Sequence, residues 1–377
     1  MTPLPDAIEY VKQITPYDPG KRLEDVSKEI GIKLERLMML NANENPHGMP
    51  SSARAAVEAE LAGANRYPDG GAFALREAIA AHYDIDPDEV ICGNGSDEIL
   101  SIVAGAFLEP GKRCVFSQYS FSVYALVAEA RGATCVEVPV KEDFGYDLDQ
   151  LLEEARKPAT SVLFLTNPNN PTGLVLDRDA LERVLREVPE SVCVVLDEAY
   201  REFADQSHFE EVCEVIRRHP NVLVARTFSK AYGLAGMRIG YAMGSKGLIE
   251  LLNRLRAPYN ANRLAQAAAT AAIADNAFLE KTVAHNRREL ENLYAELDHM
   301  KVRYLPTQTN FLMIEVPNGA AVVTRLRDAG IMVRSLKSYG LDNWIRVSIG
   351  KSEEMLCFMD VFRVAIRILR HGDKELI

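Results

Sequence analysis

The sequence predicts an α/β protein with a three-layer, doubly wound, mostly parallel sheet and a second, smaller α+β domain. Two observations support this fold class: short Val-rich runs typical of strands buried on both faces, and amphipathic stretches of helical length between them. The strand-like runs are residues 89–93, 113–116, 134–139, 161–166, 191–196 and 221–225. The amphipathic stretches include 97–108, 121–131, 177–187 and 209–218. Strands and helices that alternate at this spacing favour a parallel sheet covered by helices.

At 377 residues, the chain is longer than a single hydrophobic core usually supports, which predicts two lobes. We expect residues 1–65 to form an N-terminal arm and part of the small domain, 66–257 the large domain, and 258–377 the small C-terminal domain. The C-terminal part has a long helical run at 263–299, a strand-like run at 311–316 and a closing helix from 353. No internal repeat or low-complexity tract interrupts this organisation.

The charge balance argues against a nucleic-acid partner or an anionic membrane surface, because 54 acidic residues outweigh 43 basic ones. The N-terminus lacks the pattern of a secretory leader and no apolar run reaches membrane-spanning length, so we expect a cytoplasmic protein. The six cysteines form no Cys-x-x-Cys pair and the seven histidines show no ligand spacing. These patterns predict reduced cysteines and no metal site.

Polar motifs follow the predicted strands, and the carboxyl ends of strands are where α/β sheets bind ligands. Gly-Asn-Gly-Ser-Asp-Glu at 93–98 opens a helix, so its free amides and the helix dipole suit a phosphate. Ser96 and Asp97 are equally compatible with ordinary helix capping. Asn-Pro-Asn-Asn-Pro-Thr-Gly at 167–173 predicts a stiff loop that directs its amide side chains.

Three charged residues stand out in the segments at the ends of two neighbouring strands. Asp197 directly follows an apolar run, where a carboxylate is costly without a cation, unless it simply caps a helix. Lys230 and Arg238 lie eight residues apart on a turn that contains Gly233 and Gly236. Together they predict a cofactor held between an acid and a lysine. Pyridoxal phosphate requires this set: a Schiff-base lysine, an acid for its ring nitrogen, a phosphate cradle and a ring platform.

These motifs resemble the fold-type-I, pyridoxal-phosphate-dependent aminotransferases of class II. The resemblance is carried by Asn-Pro-Thr-Gly at 170–173, Asp-Glu-Ala-Tyr at 197–200 and Ser-Lys-x-x-Gly-x-x-Gly-x-Arg at 229–238. Four further motifs, at 17–21, 41–46, 65–70 and 346–350, extend it over nearly the whole chain. Tyr-Asp-Pro-Gly-Lys and Asn-Arg-Tyr-Pro-Asp-Gly among them are similar to the histidinol-phosphate branch. This resemblance implies transamination of L-histidinol phosphate with 2-oxoglutarate, giving imidazole acetol phosphate and L-glutamate in histidine biosynthesis.

The resemblance also implies roles for individual residues. Lys230 would form the Schiff base and act as the base, and Asp197 would pair with the pyridinium nitrogen. Asn170 and Tyr200 would hydrogen-bond the phenolic oxygen of the cofactor, Tyr200 as a further catalytic residue. The phosphate end of the cofactor would meet Gly95, Ser96, Asp97, Ser229 and Arg238. We expect the Asp97 carboxylate to cap the helix rather than to touch phosphate, and Tyr119 to stack on the ring unless it packs in the core.

Tyr67 matches a residue that reaches the cofactor of the partner subunit, which implies a homodimer with its active site at the subunit interface. The implied substrate-binding residues are Tyr17, Asn170, Arg334, Arg346 and Tyr259, with Asn260 beside them. The planar guanidinium group of an arginine can form paired hydrogen bonds with a phosphate or with a carboxylate. One pocket would therefore bind histidinol phosphate in the first half-reaction and glutamate in the other. Tyr17 would close over the substrate, unless the N-terminal arm is disordered.

Three alternative functions stay open on the sequence. An aromatic or broad-specificity aminotransferase would share almost every motif, because few side chains distinguish an imidazole phosphate from a phenyl ring and a carboxylate. A decarboxylase could use the same cofactor without a keto-acid acceptor. A non-catalytic regulator that binds pyridoxal phosphate would need a basic DNA-binding segment, and only about forty residues precede the first cofactor-family motif.

Overall fold

The computed structural model describes residues 6–15 and 21–371. The helices are α1 (Glu9–Gln13), α2 (Leu23–Ile30), α3 (Ser51–Glu60), α4 (Phe73–Tyr83), α5 (Ser96–Phe107), α6 (Val123–Glu129), α7 (Leu148–Ala155), α8 (Arg178–Glu187), α9 (Val212–Arg218), α10 (Lys246–Asn253), α11 (Arg263–Ile273), α12 (Asn276–His299), α13 (Gly319–Asp328) and α14 (Ser352–His371). The strands are β1 (Met38–Leu40), β2 (Val90–Gly93), β3 (Arg113–Ser117), β4 (Thr134–Val138), β5 (Thr160–Thr166), β6 (Cys193–Asp197), β7 (Val222–Thr227), β8 (Gly240–Gly244), β9 (Tyr304–Leu305), β10 (Phe311–Glu315), β11 (Ile331–Ser335) and β12 (Trp344–Ser348).

The larger sheet has the strand order β2-β8-β7-β6-β5-β3-β4. Strands β3 to β7 pair in parallel, whereas β8 runs antiparallel to both of its neighbours, β2 and β7. The six runs predicted from the sequence are β2 to β7, and the predicted fold class is confirmed. Strand β8 was not predicted, because its short apolar stretch lies between two glycines.

Alternate residues of the central strands enter different apolar cores, which explains their continuous hydrophobicity. In β6, Val194 and Leu196 join the cluster that contains α4, α8 and α11 residues. Cys193 and Val195 join the cluster on the opposite face, formed with residues of α5 and α6. Because both faces of these strands are buried, only their ends and the following loops can contact a ligand.

The smaller sheet has the order β1-β11-β12-β10-β9 and packs against α12, α13 and α14. Strand β1 pairs in parallel with β11, and the other pairs are antiparallel. Residues 41–46, one of the motifs noted in the sequence, directly follow β1. This sheet therefore places the motif at 41–46 close to Arg334 in β11 and Arg346 in β12.

The helical run predicted at 263–299 is two helices, separated where the side chain of Asp275 caps α12. Helix α11 contributes Ala265, Ala268 and Ala269 to the core of the larger sheet. The domain boundary expected at 257/258 stays a prediction, and α11 packs with the large-sheet core. None of the described helices combines the length and apolar composition needed to cross a membrane.

Gly240 should be essential for the contact between β8 and the start of α5. A Cβ at this position would lie 2.4 Å from the backbone nitrogen of Ser96, which cannot move independently of the helix. We predict that Gly240→Ala lowers the free energy of unfolding by about 1–3 kcal/mol. Differential scanning calorimetry would measure the change. Gly247→Ala in α10, where a Cβ meets nothing within 4 Å, is the control and should be neutral or slightly stabilising; equal losses in both variants would contradict the explanation.

Candidate active site

A cleft of about 870 Å³ is lined by residues that extend from both sheets. Its wall contains most of the site residues predicted from the sequence, although they are distributed over 250 positions of the chain. These residues are Ser96, Asp97, Asn170, Asp197, Tyr200, Ser229, Lys230, Arg238, Arg334 and Arg346. The wall also contains residues 41–44 of the motif that follows β1.

Asp197 is the last residue of β6 and is only 3% exposed. Tyr124 Oη donates to its Oδ2 at 2.7 Å, and the Ala199 amide donates to Oδ1 at 3.2 Å. No α-helix begins here, and in the described part of the chain no basic side chain forms an ion pair with this carboxylate. Burial raises the pKa of Asp197 to about 6. The carboxylate thus suits a cationic ligand group, which the described residues do not supply.

Lys230 lies on the turn after β7, and its Nζ donates to the carbonyl oxygen of Ala42 at 3.0 Å. Nζ is 6.0 Å from the centre of the Tyr200 ring. Burial, together with the positive charge of Arg346, lowers the pKa of Lys230 to about 8. An amine with this pKa loses its proton readily near neutral pH, as a nucleophile or a general base requires.

One end of the cleft is built for an anion. Helix α5 begins at Ser96, so its first backbone amides have no acceptor within the helix. The guanidinium of Arg238 lies beside this helix start, where a Cβ on Gly95 would be 2.5 Å from Arg238 Nη2. Ser229, which is buried, joins the same wall. Together these groups offer a cation and amide donors to a phosphate.

The expectation that Asp97 caps α5 is wrong. Gly95 occupies the N-cap position without a side-chain hydrogen bond, and Asp97 lies inside the first turn. In the described structure no backbone amide donates to its carboxylate. It instead pairs with Arg238 Nη2 at 3.2 Å, which holds the arginine at the cleft.

The expected stacking residue, Tyr119, is not in the wall of the cleft. Its backbone has a φ of +53°, and its ring packs 5.8 Å from Phe144 in a separate aromatic cluster. Phe121 is the phenylalanine in the wall, and its ring stands edge-on to Tyr124. Phe121 therefore lies in the wall of the cleft and Tyr119 does not, and the stacking of Tyr119 on a cofactor ring stays a prediction.

Arg346 is a buried cation without an acidic partner among the described residues. Its Nη1 donates to Asn170 Oδ1 at 2.5 Å and its Nη2 to the Asn41 carbonyl at 2.9 Å, while its Nε has no hydrogen-bond partner in the described structure. Arg334 pairs directly opposite Arg346 in the β11–β12 register, and both line the cleft. Like charges placed opposite each other repel, and burial lowers the pKa of Arg346. A ligand anion would relieve both costs.

Two predicted residues lie outside the cleft of their own chain. Tyr67 and Tyr259 stack on each other with 4.6 Å between ring centres, and are 77% and 47% exposed. Tyr259 is therefore outside the cleft of its own chain, and its contact with substrate stays a prediction. Asn260 bonds Cys92 and Glu98 through its side chain, and Tyr17 falls outside the described residues.

Sequence reasoning missed several residues of the wall. Phe121 lies two residues after Tyr119, the residue that the sequence singles out in this segment, and Thr166 and Thr227 end two strands. Asn43 belongs to the motif at 41–46, and the family resemblance assigns it no role. Its side chain donates to the Tyr200 hydroxyl at 2.9 Å, a contact that joins residues 157 positions apart.

The residues of the cleft fit pyridoxal phosphate. The orphaned carboxylate of Asp197 suits a protonated ring nitrogen, Lys230 suits the covalent anchor, and Arg238 with the start of α5 suits the phosphate. The described residues contain no group of three or more metal-ligating side chains.

The unpartnered state of Asp197 predicts an unusual stability effect in protein freed of small ligands. Its folded-state pKa of about 6 exceeds the ordinary value of 3.8, so its ionisation between these pH values destabilises the fold. We therefore expect Asp197→Asn to raise the free energy of unfolding by about 2–3 kcal/mol at pH 8. The difference should vanish below about pH 4, where the carboxyl is neutral in both states.

Denaturant unfolding at several pH values would measure this effect. The same change at exposed Asp360 is the control and should stay within about 0.5 kcal/mol at every pH. A wild-type protein as stable as Asp197→Asn at pH 8 would show that the carboxylate is already compensated.

Known proteins resemble this chain over nearly its whole length. The family described as "Aminotransferase class I and II" matches residues 35–361. The chain is 43% identical over 350 residues to histidinol-phosphate aminotransferase 2 of Ralstonia nicotianae, covering 92% of this chain and 93% of the relative. It is 41% identical to histidinol-phosphate aminotransferase of Methylobacillus flagellatus, with coverage of 95% and 96%.

A solved structure agrees with these relatives. Histidinol-phosphate aminotransferase from Sinorhizobium meliloti, in complex with pyridoxal-5'-phosphate, superimposes with a TM-score of 0.90 at 28% identity, covering 98% of this chain and 99% of that one. The match includes both sheets and the cleft that they line. The chain therefore belongs to the class I and II aminotransferase family.

Proposed function

We propose that this protein is a pyridoxal-phosphate-dependent enzyme that transfers the amino group of L-histidinol phosphate to 2-oxoglutarate. The products are imidazole acetol phosphate and L-glutamate. The observation that carries the proposal is that one cleft is lined both by Asp197, a buried carboxylate with no ion-pair partner among the described residues, and by Lys230, whose pKa is lowered. The names of relatives that are 43% and 41% identical support the choice of substrate.

The chain's own residues would hold the cofactor at three points. Asp197 would accept a hydrogen bond from its protonated ring nitrogen, and Asn170 and Tyr200 would bond its ring oxygen. Gly95, Ser96, Ser229 and Arg238 would surround its phosphate, with Asp97 fixing Arg238. Phe121, in place of Tyr119, would cover a ring face. When bound, the cofactor supplies an electron sink for charge that develops on the substrate.

Lys230 would serve as the covalent anchor and, once displaced by the substrate amine, as the base that moves the Cα proton. Its pKa, lowered to about 8, gives a much larger fraction of the neutral amine that this step needs than an ordinary lysine has near neutral pH. The Ala42 carbonyl holds Nζ in place at 3.0 Å before the substrate arrives. Burial raises the pKa of Tyr200 to about 12, so its hydroxyl stays protonated and able to donate at neutral pH.

Arg334 and Arg346 would form one anion pocket for both half-reactions. Their adjacent guanidinium groups suit the phosphate of histidinol phosphate in the first half-reaction and a carboxylate of 2-oxoglutarate in the second. Asn170, which binds Arg346, would link this pocket to the cofactor. Tyr17, from the N-terminal arm, would close over the substrate.

We further propose that the enzyme is a cytoplasmic homodimer. The stacked, exposed rings of Tyr67 and Tyr259 support this, because large aromatic side chains that stay exposed in one chain are typical of subunit interfaces. Tyr67 would reach the phosphate of the partner's cofactor, and Tyr259 would brace it.

The first test is an assay of the purified enzyme with 2-oxoglutarate as acceptor. We expect histidinol phosphate to be a far better donor than phenylalanine. Comparable efficiency for the two donors would favour a broad-specificity aminotransferase, and release of carbon dioxide without an acceptor would favour a decarboxylase.

Lys230→Ala should lose the visible absorption of the bound cofactor and at least about 10²–10⁴-fold of the activity. The control is Lys246→Ala, which removes an exposed lysine paired with Asp86.

The second test concerns the anion pocket. Arg334→Gln and Arg346→Gln should each raise KM for both substrates by about 10–100-fold, because each loses charge-assisted hydrogen bonds worth about 1.5–3 kcal/mol. Steady-state kinetics with each substrate varied in turn would measure this. Arg325→Gln removes an exposed arginine of α13 outside the cleft and should leave both KM values unchanged. An effect of Arg334→Gln or Arg346→Gln on only one substrate would contradict a shared pocket.

A further inference from the structure

The motif at residues 41–46 makes several contacts with the catalytic region, and Asn43 is the member that touches Tyr200. Asn43 is 1% exposed, has a φ of +56°, and lies in the wall of the cleft. Its side-chain Nδ2 donates to the Tyr200 hydroxyl oxygen at 2.9 Å. The contact thus joins the segment after β1 to the loop after β6.

The direction of this hydrogen bond is fixed by the neighbours of Asn43. The Asn43 backbone amide donates to Ser348 Oγ at 2.8 Å, and Ser348 Oγ donates to Asn43 Oδ1 at 3.0 Å. Turning the amide round would remove the acceptor of the Ser348 hydroxyl hydrogen, at a residue only 1% exposed. Asn310 Nδ2 also donates to the Asn43 carbonyl at 3.0 Å, which holds the backbone.

Because Nδ2 already donates to the Tyr200 oxygen, the single hydroxyl hydrogen of Tyr200 is not used on Asn43. We propose that Asn43 is a positioning residue, which directs the hydroxyl hydrogen of Tyr200 into the cleft as a donor to the ring oxygen of the cofactor. This inference rests on the function proposed above. It assigns a role to a residue that touches neither the lysine anchor nor the anion pocket through its side chain.

The titratable and charged groups that face Tyr200 are Lys230, Asp197, Tyr339 and Arg346. All four are retained in Asn43→Gly, which adds no charge, so in that variant a change in the hydrogen-bonding of Tyr200 is separated from a change in charge. The φ of Asn43 limits the useful replacements to residues that tolerate this conformation, of which Asp and Gly are the best matched. Asn43→Asp keeps the shape of the side chain, but an ionised carboxylate can only accept hydrogen bonds. Asn43→Gly removes the side chain.

The experiment is a pH titration of the visible absorption of the holoenzyme, which changes as the Lys230–cofactor linkage loses its proton. A donor to the ring oxygen stabilises the deprotonated form, which carries more negative charge on that oxygen. Asn43→Asp turns the Tyr200 hydrogen away from the cleft and should raise the midpoint by about one pH unit. Asn43→Gly should shift it in the same direction by less, which keeps the test available if the Asp variant does not fold.

Tyr200→Phe is the positive reference and should raise the midpoint at least as far as Asn43→Asp. Asn310→Ala loosens the same segment without touching the Tyr200 bond, and should leave the midpoint unchanged. The inference would be overturned if both Asn43 variants had the wild-type midpoint while Tyr200→Phe had a raised midpoint. That result would leave the proposed function intact. A wild-type midpoint in Tyr200→Phe would contradict the role proposed for Tyr200 itself, and the role of Asn43 with it.

Discussion

Asp197 ends a strand whose five residues are all buried, and its carboxylate receives two hydrogen bonds but no cation in the described structure. Lys230, Arg238, Arg334 and Arg346 line the same cavity, and burial lowers the pKa values of Lys230 and Arg346. A ligand with a cationic ring and an anionic arm would compensate both ends at once, and pyridoxal phosphate is such a ligand.

The two sheets are linked at the cleft by the segment that follows β1. Its carbonyl oxygens at Asn41 and Ala42 accept from Arg346 and Lys230, and Asn43 donates to Tyr200. Three site residues from three different elements therefore share one short piece of chain. This arrangement explains how a site built from both sheets keeps its geometry before any ligand binds, which lowers the cost of ordering it in each catalytic cycle.

Local sequence patterns predicted the large sheet and the residues at its strand ends. Buried parallel strands are continuous apolar runs, and the ligand-binding residues of such a sheet follow them directly. The patterns indicated Tyr119 but not Phe121, which is the aromatic residue of this segment in the cleft wall. The partner of Asp97 and the bonds of Asn43 were also missed, since these contacts span 141 to 305 positions and leave no local signal.

A crystal structure of the protein grown with pyridoxal phosphate tests the central claim most directly. The account predicts electron density continuous from Lys230 Nζ to the cofactor, with the ring nitrogen within hydrogen-bonding distance of the Asp197 carboxylate and the phosphate at Arg238 and the start of α5. A cofactor bound with its phosphate on Arg334 and Arg346, or with its ring nitrogen away from Asp197, would contradict it.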